Sequence, residues 1–185
     1  SFFLPLEVLG CHVGPAKCHV TDWRLSMEMR AATALMGHMG LELNLLTERT
    51  ADLDVLKNAI DLHKKHRALL HNGDVFRLDS APQLIASGVI ARDKSEAIYS
   101  VAYVASDAKV LPGRFQFTGL DPQRSYRLQL IWPSDWQAIK GPSAIEMLDL
   151  KGEGAIFSGA ALVHGGLQLP HAFPETCLLF YVAAV

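Results

Sequence analysis

Two Cys-His pairs near the start, Cys11-His12 and Cys18-His19, are the residues whose types invite chemistry first. Cysteine and histidine are zinc ligands, and together they can also supply a nucleophile and its base. The spacing argues against zinc. Cys18 follows His12 by six positions, whereas a zinc knuckle separates its ligands by roughly two to four residues. Neighbouring Cys and His side chains are also hard to aim at one ion, so no metal is expected. A thiol nucleophile needs a depressed pKa, and no signal for one exists in the sequence. Buried small cysteines with polar loop histidines are the plainer reading. The third is a ligand-facing loop after a strand, which Gly10, Gly14 and Pro15 favour.

The other candidates read more blandly. His38 and Glu42 could face a site, with a solvated or capped place as the plainer reading. His63, His66 and His71 stand among Lys64, Lys65 and Arg67 and read as a solvated helix face. Trp132 and Trp136 flank Pro133. Exposed aromatics can stack on sugar rings, but the corner of a buried sheet is the commoner place for Trp.

The elements that must position these residues change character near Gly73. The apolar run at 2–6 reads as a strand cut out of a larger fold, so part of the machinery is expected upstream of Ser1. Asp22 is a candidate cap for a helix over 23–36, with Leu25, Met29, Ala32 and Leu35 on one face and Gly37 as its stop. Residues 41–45 alternate apolar and polar with period two and read as a strand. Thr50 caps a helix over 51–71, with Asp52 and Asp54 in its first turn and Leu53, Leu56, Ile60 and Leu70 as its buried stripe. Strand, loop, helix, strand, helix is the rhythm of an α/β fold.

Beyond Gly73 the pattern is all strand, over 84–91, 97–104, 114–118, 126–132, 155–169 and 177–185. Turn signals at Arg92-Asp93-Lys94, Pro112-Gly113, Asp121-Pro122, Gly165-Gly166 and Pro170 separate the runs. The cleanest alternation puts Tyr126, Leu128, Leu130 and Trp132 on one face. Several short strands at near-regular spacing predict an antiparallel sandwich.

Composition narrows the function classes. The 185 residues are 50% apolar and 19% charged, with a formal charge of −2 and a pI near 6.4. These values give no electrostatic case for nucleic acid or an anionic membrane. No apolar stretch approaches the roughly 18–20 residues of a membrane span, and the apolar start lacks the basic lead of a signal peptide. Three cysteines point to a reducing compartment rather than a disulfide framework, so a cytoplasmic location is expected.

One stretch is recognisable as a string. Gly10-Cys11-His12-Val13-Gly14-Pro15 leads through Cys18-His19, Thr21, Ser26 and Arg30 to Ala31-Ala32-Thr33-Ala34-Leu35-Met36-Gly37-His38-Met39-Gly40-Leu41-Glu42-Leu43. It resembles the late barrel region of glycoside hydrolase family 36, the α-galactosidase family of bacteria and fungi. The resemblance runs on through Arg67-Ala68-Leu69-Leu70-His71-Asn72-Gly73, Phe76-Arg77-Leu78-Asp79, Gly119-Leu120-Asp121-Pro122 and Tyr126-Arg127-Leu128. It ends in Gly165-Gly166-Leu167-Gln168-Leu169-Pro170, Pro174-Glu175 and Leu178-Leu179-Phe180.

The resemblance implies a mixed fold: the last strands and helices of a (β/α)8 barrel over 1–73, then an antiparallel β-sandwich over 74–185. It implies retaining hydrolysis of terminal α-galactosides such as melibiose and raffinose by two carboxylates. Both catalytic carboxylates are expected upstream, with none in this chain, and no cofactor is implied. Loops after barrel strands build the active-site face. Gly10 and His12 are therefore expected to border the galactose pocket, His12 as a substrate-facing or supporting residue. Partners would be the upstream part of the same parent chain, the α-galactoside and, through exposed strand edges, further copies in a homo-oligomer. The segment alone is expected to be inactive. The chain departs from the family pattern at Asp22-Trp23, where Gly-Arg is common, and at Asn44, where Asp is common. The competing readings are a non-catalytic carbohydrate-binding sandwich and a metal- or redox-responsive Cys-His protein.

Overall fold

The first element after a short 3-10 turn at Leu6–Val8 is strand β1, Gly10–Val13, so the Gly-Cys-His-Val string is itself the strand and not the loop behind one. The computed structural model describes residues 6–78, 80–106, 113–134, 139–140 and 143–185. Residues 2–5, Asp79, Pro112 and Trp136, which the sequence reading used, lie outside these.

Helix α1 follows at Met27–Leu35, then β2 at His38–Leu41 and α2 at Thr50–Asn72. Strands β1 and β2 pair in parallel, Gly10 opposite His38 and His12 opposite Gly40, with α1 as the crossover. The cap of α1 is Ser26, whose Oγ accepts from the Met29 N–H at 3.2 Å, and not Asp22. Asp22 has φ 60° and turns a hairpin instead. The strand expected at 41–45 ends at Leu41, because its pairing partner ends at Val13. Asn44 then caps a 3-10 turn at Leu45–Thr47 by accepting from the Leu46 N–H.

The histidines of α2 correct the solvated-face expectation. His63 and His66 are buried and His71 is half-buried. They follow from spacing: Leu56, Ala59, His63, His66 and Leu70 recur at three- and four-residue steps and share one face. Lys64, Lys65 and Arg67 are exposed. A small core gathers Val13, Met27, Ala34 and Leu56, with Cys11, Met39, Val55 and Ile60 against it.

The chain divides between Asn72 and Gly73. The second unit is built on an antiparallel sheet of β3 (Asp74–Leu78), β4 (Leu84–Ile90), β5 (Glu96–Tyr103), β7 (Ser125–Trp132), β9 (Ala155–Ser158) and β12 (Thr176–Ala184). Their order is β3-β4-β5-β12-β7-β9. Short antiparallel pairs accompany it: β6 (Arg114–Phe115) with β10 (Leu167–Gln168), and β8 (Ile139–Lys140) with β11 (His171–Ala172). A one-turn helix α3 at Ala144–Met147 and a π-helical turn at Ala161–Gly165 complete the unit; the turn breaks the continuous run expected over 155–169. This mostly antiparallel architecture is consistent with a β-sandwich.

The core of this unit places Tyr99, Val101, Leu128, Leu130 and Phe180 together with Phe115, Phe117, Ile145 and Leu162. Phe115, Phe117, Tyr99 and Phe180 meet at ring-centroid distances of 5.0 to 6.4 Å, mostly edge to face. One expected core residue moves. A register shift between Leu179 and Phe180 pairs Leu130 with Phe180 but Trp132 with Leu179. Since cross-strand partners share a face, the bulge turns Trp132 to the side opposite Leu128 and Leu130. Trp132 is still buried.

Candidate functional site

Alternation along β1 sorts its four residues by task. Cys11 and Val13 point to the apolar side, against Met27, Ala34 and Leu56. Gly10 and His12 face the other way. The two thiols therefore differ. Burial pushes the Cys11 thiol up, while the Thr21 hydroxyl and nearby backbone amides hold the Cys18 thiol below its ordinary value. Both are free. Among the described residues no group of three or more His, Cys, Asp or Glu is arranged to hold a metal ion.

His12 lies over Gly40 of the neighbouring strand. A Cβ on Gly40 would stand 2.5 Å from the imidazole Cδ2, so the ring occupies space that any other residue there would fill. Glu42 comes two positions later. Its N–H donates to the Val13 carbonyl at 3.0 Å, which carries the β1–β2 pairing one step past β2. Its carboxylate Oε2 stands 3.6 Å from His12 Nδ1, with the two side chains 54% and 80% exposed. An imidazole and a carboxylate thus meet at the C-terminal ends of two parallel strands, where βα units commonly carry their ligands.

The pair opens on a cleft of about 520 Å³, which Gly14, Cys18, His19, Trp23, Leu25, Arg30 and Thr33 also line. Its wall is a hairpin over 17–24. The Cys18 N–H donates to the Trp23 carbonyl at 2.8 Å, the Asp22 N–H to the Cys18 carbonyl at 2.9 Å, and Lys17 bridges to Arg24. Lys17 Nζ pairs with Asp22 Oδ1 at 2.8 Å. Beneath the cleft Arg30 donates to the Gly14 carbonyl at 2.8 Å and to both carboxylate oxygens of Glu48 at 3.1 and 3.0 Å. Through its two Nη groups it ties two chain segments together, while its Nε is buried without a hydrogen-bond partner among the described residues.

Of the two residues singled out for substrate, His12 lines the cleft. Gly10 sits at the far end of β1, where a Cβ would come 3.7 Å from the His12 ring, and is not among the lining residues. Glu42, whose side chain is as solvated as expected, also lines the cleft beside His12. Trp23, expected at the start of a helix, is on the hairpin instead. Arg30, which the sequence marks only within the family resemblance, falls three residues from Met27 and four from Ala34, on the buried face of α1, and its partner Glu48 carries no sequence signal. A hydrogen-bonding pair beside an aromatic wall can hold a polyhydroxylated ring. Glu42 is the one carboxylate lining the cleft among the described residues, so the cleft by itself lacks the pair that glycoside hydrolysis uses.

Residues 84–177 match the glycosyl hydrolase family 36 C-terminal domain. The chain belongs to glycosyl hydrolase family 36. Residues 1–73 match the melibiase family. An α-galactosidase from Escherichia coli is 35% identical over 182 residues, 97% of this family 36 chain and 26% of that protein. The bifunctional α-galactosidase/sucrose kinase AgaSK of Mediterraneibacter gnavus is 26% identical over 92% of the chain and 16% of its own length. The chain therefore spans about a quarter or less of these two relatives. The solved galactosidase domain of AgaSK superposes with a TM-score of 0.82 at 24% identity, covering 100% of this chain and 23% of that one. The family 36 α-galactosidase AgaB from Geobacillus stearothermophilus does so at 0.79 and 22%, covering 98% and 22%. At these identities the likeness speaks for the fold.

Proposed function

We propose that this chain is the C-terminal segment of an α-galactosidase that hydrolyses terminal α-galactosides such as melibiose and raffinose with retention of configuration. Residues 1–73 supply the last βα units of a (β/α)8 barrel, and 74–185 its C-terminal β-sandwich. The observation that carries this is the His12–Glu42 pair at the C-terminal ends of two parallel strands, in a chain 35% identical to an α-galactosidase along nearly its whole length. The pair binds and orients the sugar's hydroxyls. The nucleophile and the general acid/base come from the upstream part of the protein, and no cofactor takes part.

The parallel β1–β2 sheet supports the barrel reading. Among the described residues its two strands pair only with each other, and each leaves one edge for a further strand. Those edges also favour self-association of the segment. Among the described residues no helix is long and apolar enough to cross a membrane, and the proposed site of action is the cytoplasm.

Two preparations test the reading: the longer protein and the 185 residues alone. The longer protein should release galactose from melibiose, first as the α-anomer by NMR. The segment should release none, since loss of catalytic groups removes several powers of ten in rate. Turnover that stays with the purified segment, or a longer protein inert on every α-galactoside, would overturn it.

A further inference from the structure

We propose that Trp23 is a stacking platform for a pyranose ring of the substrate. This rests on the α-galactosidase reading above.

Trp23 is 66% exposed. A solvent-facing indole can offer its face to a ring that settles against it. Other exposed apolar residues, such as Val20 and Leu46, do not line the cleft; Trp23 lines it together with His12 and Glu42. Its backbone is fixed on both sides. The Trp23 carbonyl accepts from the Cys18 N–H at 2.8 Å, and its own N–H donates to Thr21 Oγ1 at 3.4 Å. The left-handed Asp22 beside it, held by Lys17, makes the turn tight. An indole has only two side-chain torsions, so a platform built this way loses little entropy when a ligand settles on it.

The cleft is thus two-sided in chemistry. One part presents an imidazole and a carboxylate, which take hydroxyl hydrogen bonds. The other presents a flat π surface. A pyranose is matched to that division, because its hydroxyls radiate from the ring while a face of its C–H groups is apolar and weakly positive, the complement of an indole face. The ring could be the galactosyl unit or the sugar that leaves.

Kinetics of Trp23→Ala, Trp23→Tyr and Trp23→Phe in the longer protein decide, with α-galactosyl fluoride, melibiose and raffinose as substrates. The fluoride has no leaving ring. If Trp23 stacks on the leaving sugar, the alanine variant should lose roughly 3- to 30-fold in kcat/KM on melibiose and raffinose and nothing on the fluoride. If it stacks on galactose, all three should fall alike. In both cases Tyr and Phe should recover most of the loss, with an unchanged melting temperature. Unaltered kinetics in Trp23→Ala would overturn the proposal. So would a loss that tracks a lowered melting temperature and is not rescued by Tyr or Phe. Absence of galactosidase activity in the unsubstituted protein would instead remove the functional reading itself, and the platform with it.

Discussion

Arg30 and Glu48 face each other as a bidentate pair, with side chains only 6% and 7% exposed. The same guanidinium holds the Gly14 carbonyl. One cation thereby ties the chain leaving β1 to the segment entering α2, and the cleft hangs between them. Taking either partner away leaves a buried charge without its counterpart. Glu48→Ala should lower the stability of the chain by about 3–5 kcal/mol, read from the urea midpoint. Replacing both residues with apolar side chains of similar volume should cost less than either single change. If Glu48→Ala were neutral, the pair would be holding nothing.

The α2 histidines make stability depend on pH. Burial is the main cause that lowers the pKa of both His63 and His71. His63 keeps a hydrogen bond between Nδ1 and the Leu35 carbonyl at 3.1 Å, which opposes the shift. The neighbours His38 and Arg67 press both rings further toward neutrality, and Glu7 partly offsets this at His71. His71 itself stacks on His38 at 5.6 Å. Above about pH 7.5, roughly a unit over the ordinary imidazole value, both rings are neutral folded and unfolded and contribute no slope. Below it the unfolded chain binds protons that the folded chain resists, so stability falls as pH drops. The urea midpoint should be lower at pH 5 than at pH 7.5, and a His63→Gln/His71→Gln variant should show a shallower fall. An identical slope in the variant would place the effect elsewhere.

What could be read from residues alone follows from the reach of each signal. Periodicity gave the long helix over 51–71 and the alternating strand through Leu128, because both repeats are local. It failed at Trp132, since the bulge that turns this residue over belongs to the pairing with β12, fifty residues downstream in the chain. At His63 and His66 the two signals conflict: the residue type and the Lys-Arg neighbours point to solvent, and the position in the stripe points to the core, which prevails. The hairpin over 17–24 carried no marker beyond Asp22, whose left-handed backbone no motif announces. Of the cleft, the sequence marks His12 and Glu42 only singly; their approach to 3.6 Å depends on parallel register, a tertiary fact.

Leu128 tests the core of the second unit. It is fully buried among Tyr126, Leu130, Val182 and their neighbours, and pairs with Val182 across the sheet and with Ala155 on its other side. Leu128→Ala should cost about 2–5 kcal/mol in equilibrium unfolding, the transfer term plus the cavity it leaves. A change on the exposed side of the same strand, Arg127→Ala, loses one hydrogen bond to the Glu153 carbonyl and should cost far less. Equal effects would mean that the face is assigned backwards.

His12 and Glu42 are the pair on which activity should depend in the longer protein. Both are well exposed, so His12→Ala and Glu42→Gln should leave the unfolding transition in place. Each should reduce kcat/KM on melibiose, by roughly tenfold or more where a contact made in the transition state is lost. Because the two groups stand 3.6 Å apart and are proposed to serve one ligand, the double variant should lose less than the product of the single losses. Gly40 offers an independent route to the same ring. A methyl there would stand 2.5 Å from His12 Cδ2 and push the imidazole aside without touching its chemistry. Gly40→Ala should therefore reproduce much of the His12→Ala defect, and adding it to His12→Ala should change little. A fully active Gly40→Ala protein, or additive losses in the His12/Glu42 double variant, would separate the pair from the reaction and leave it as part of the scaffold.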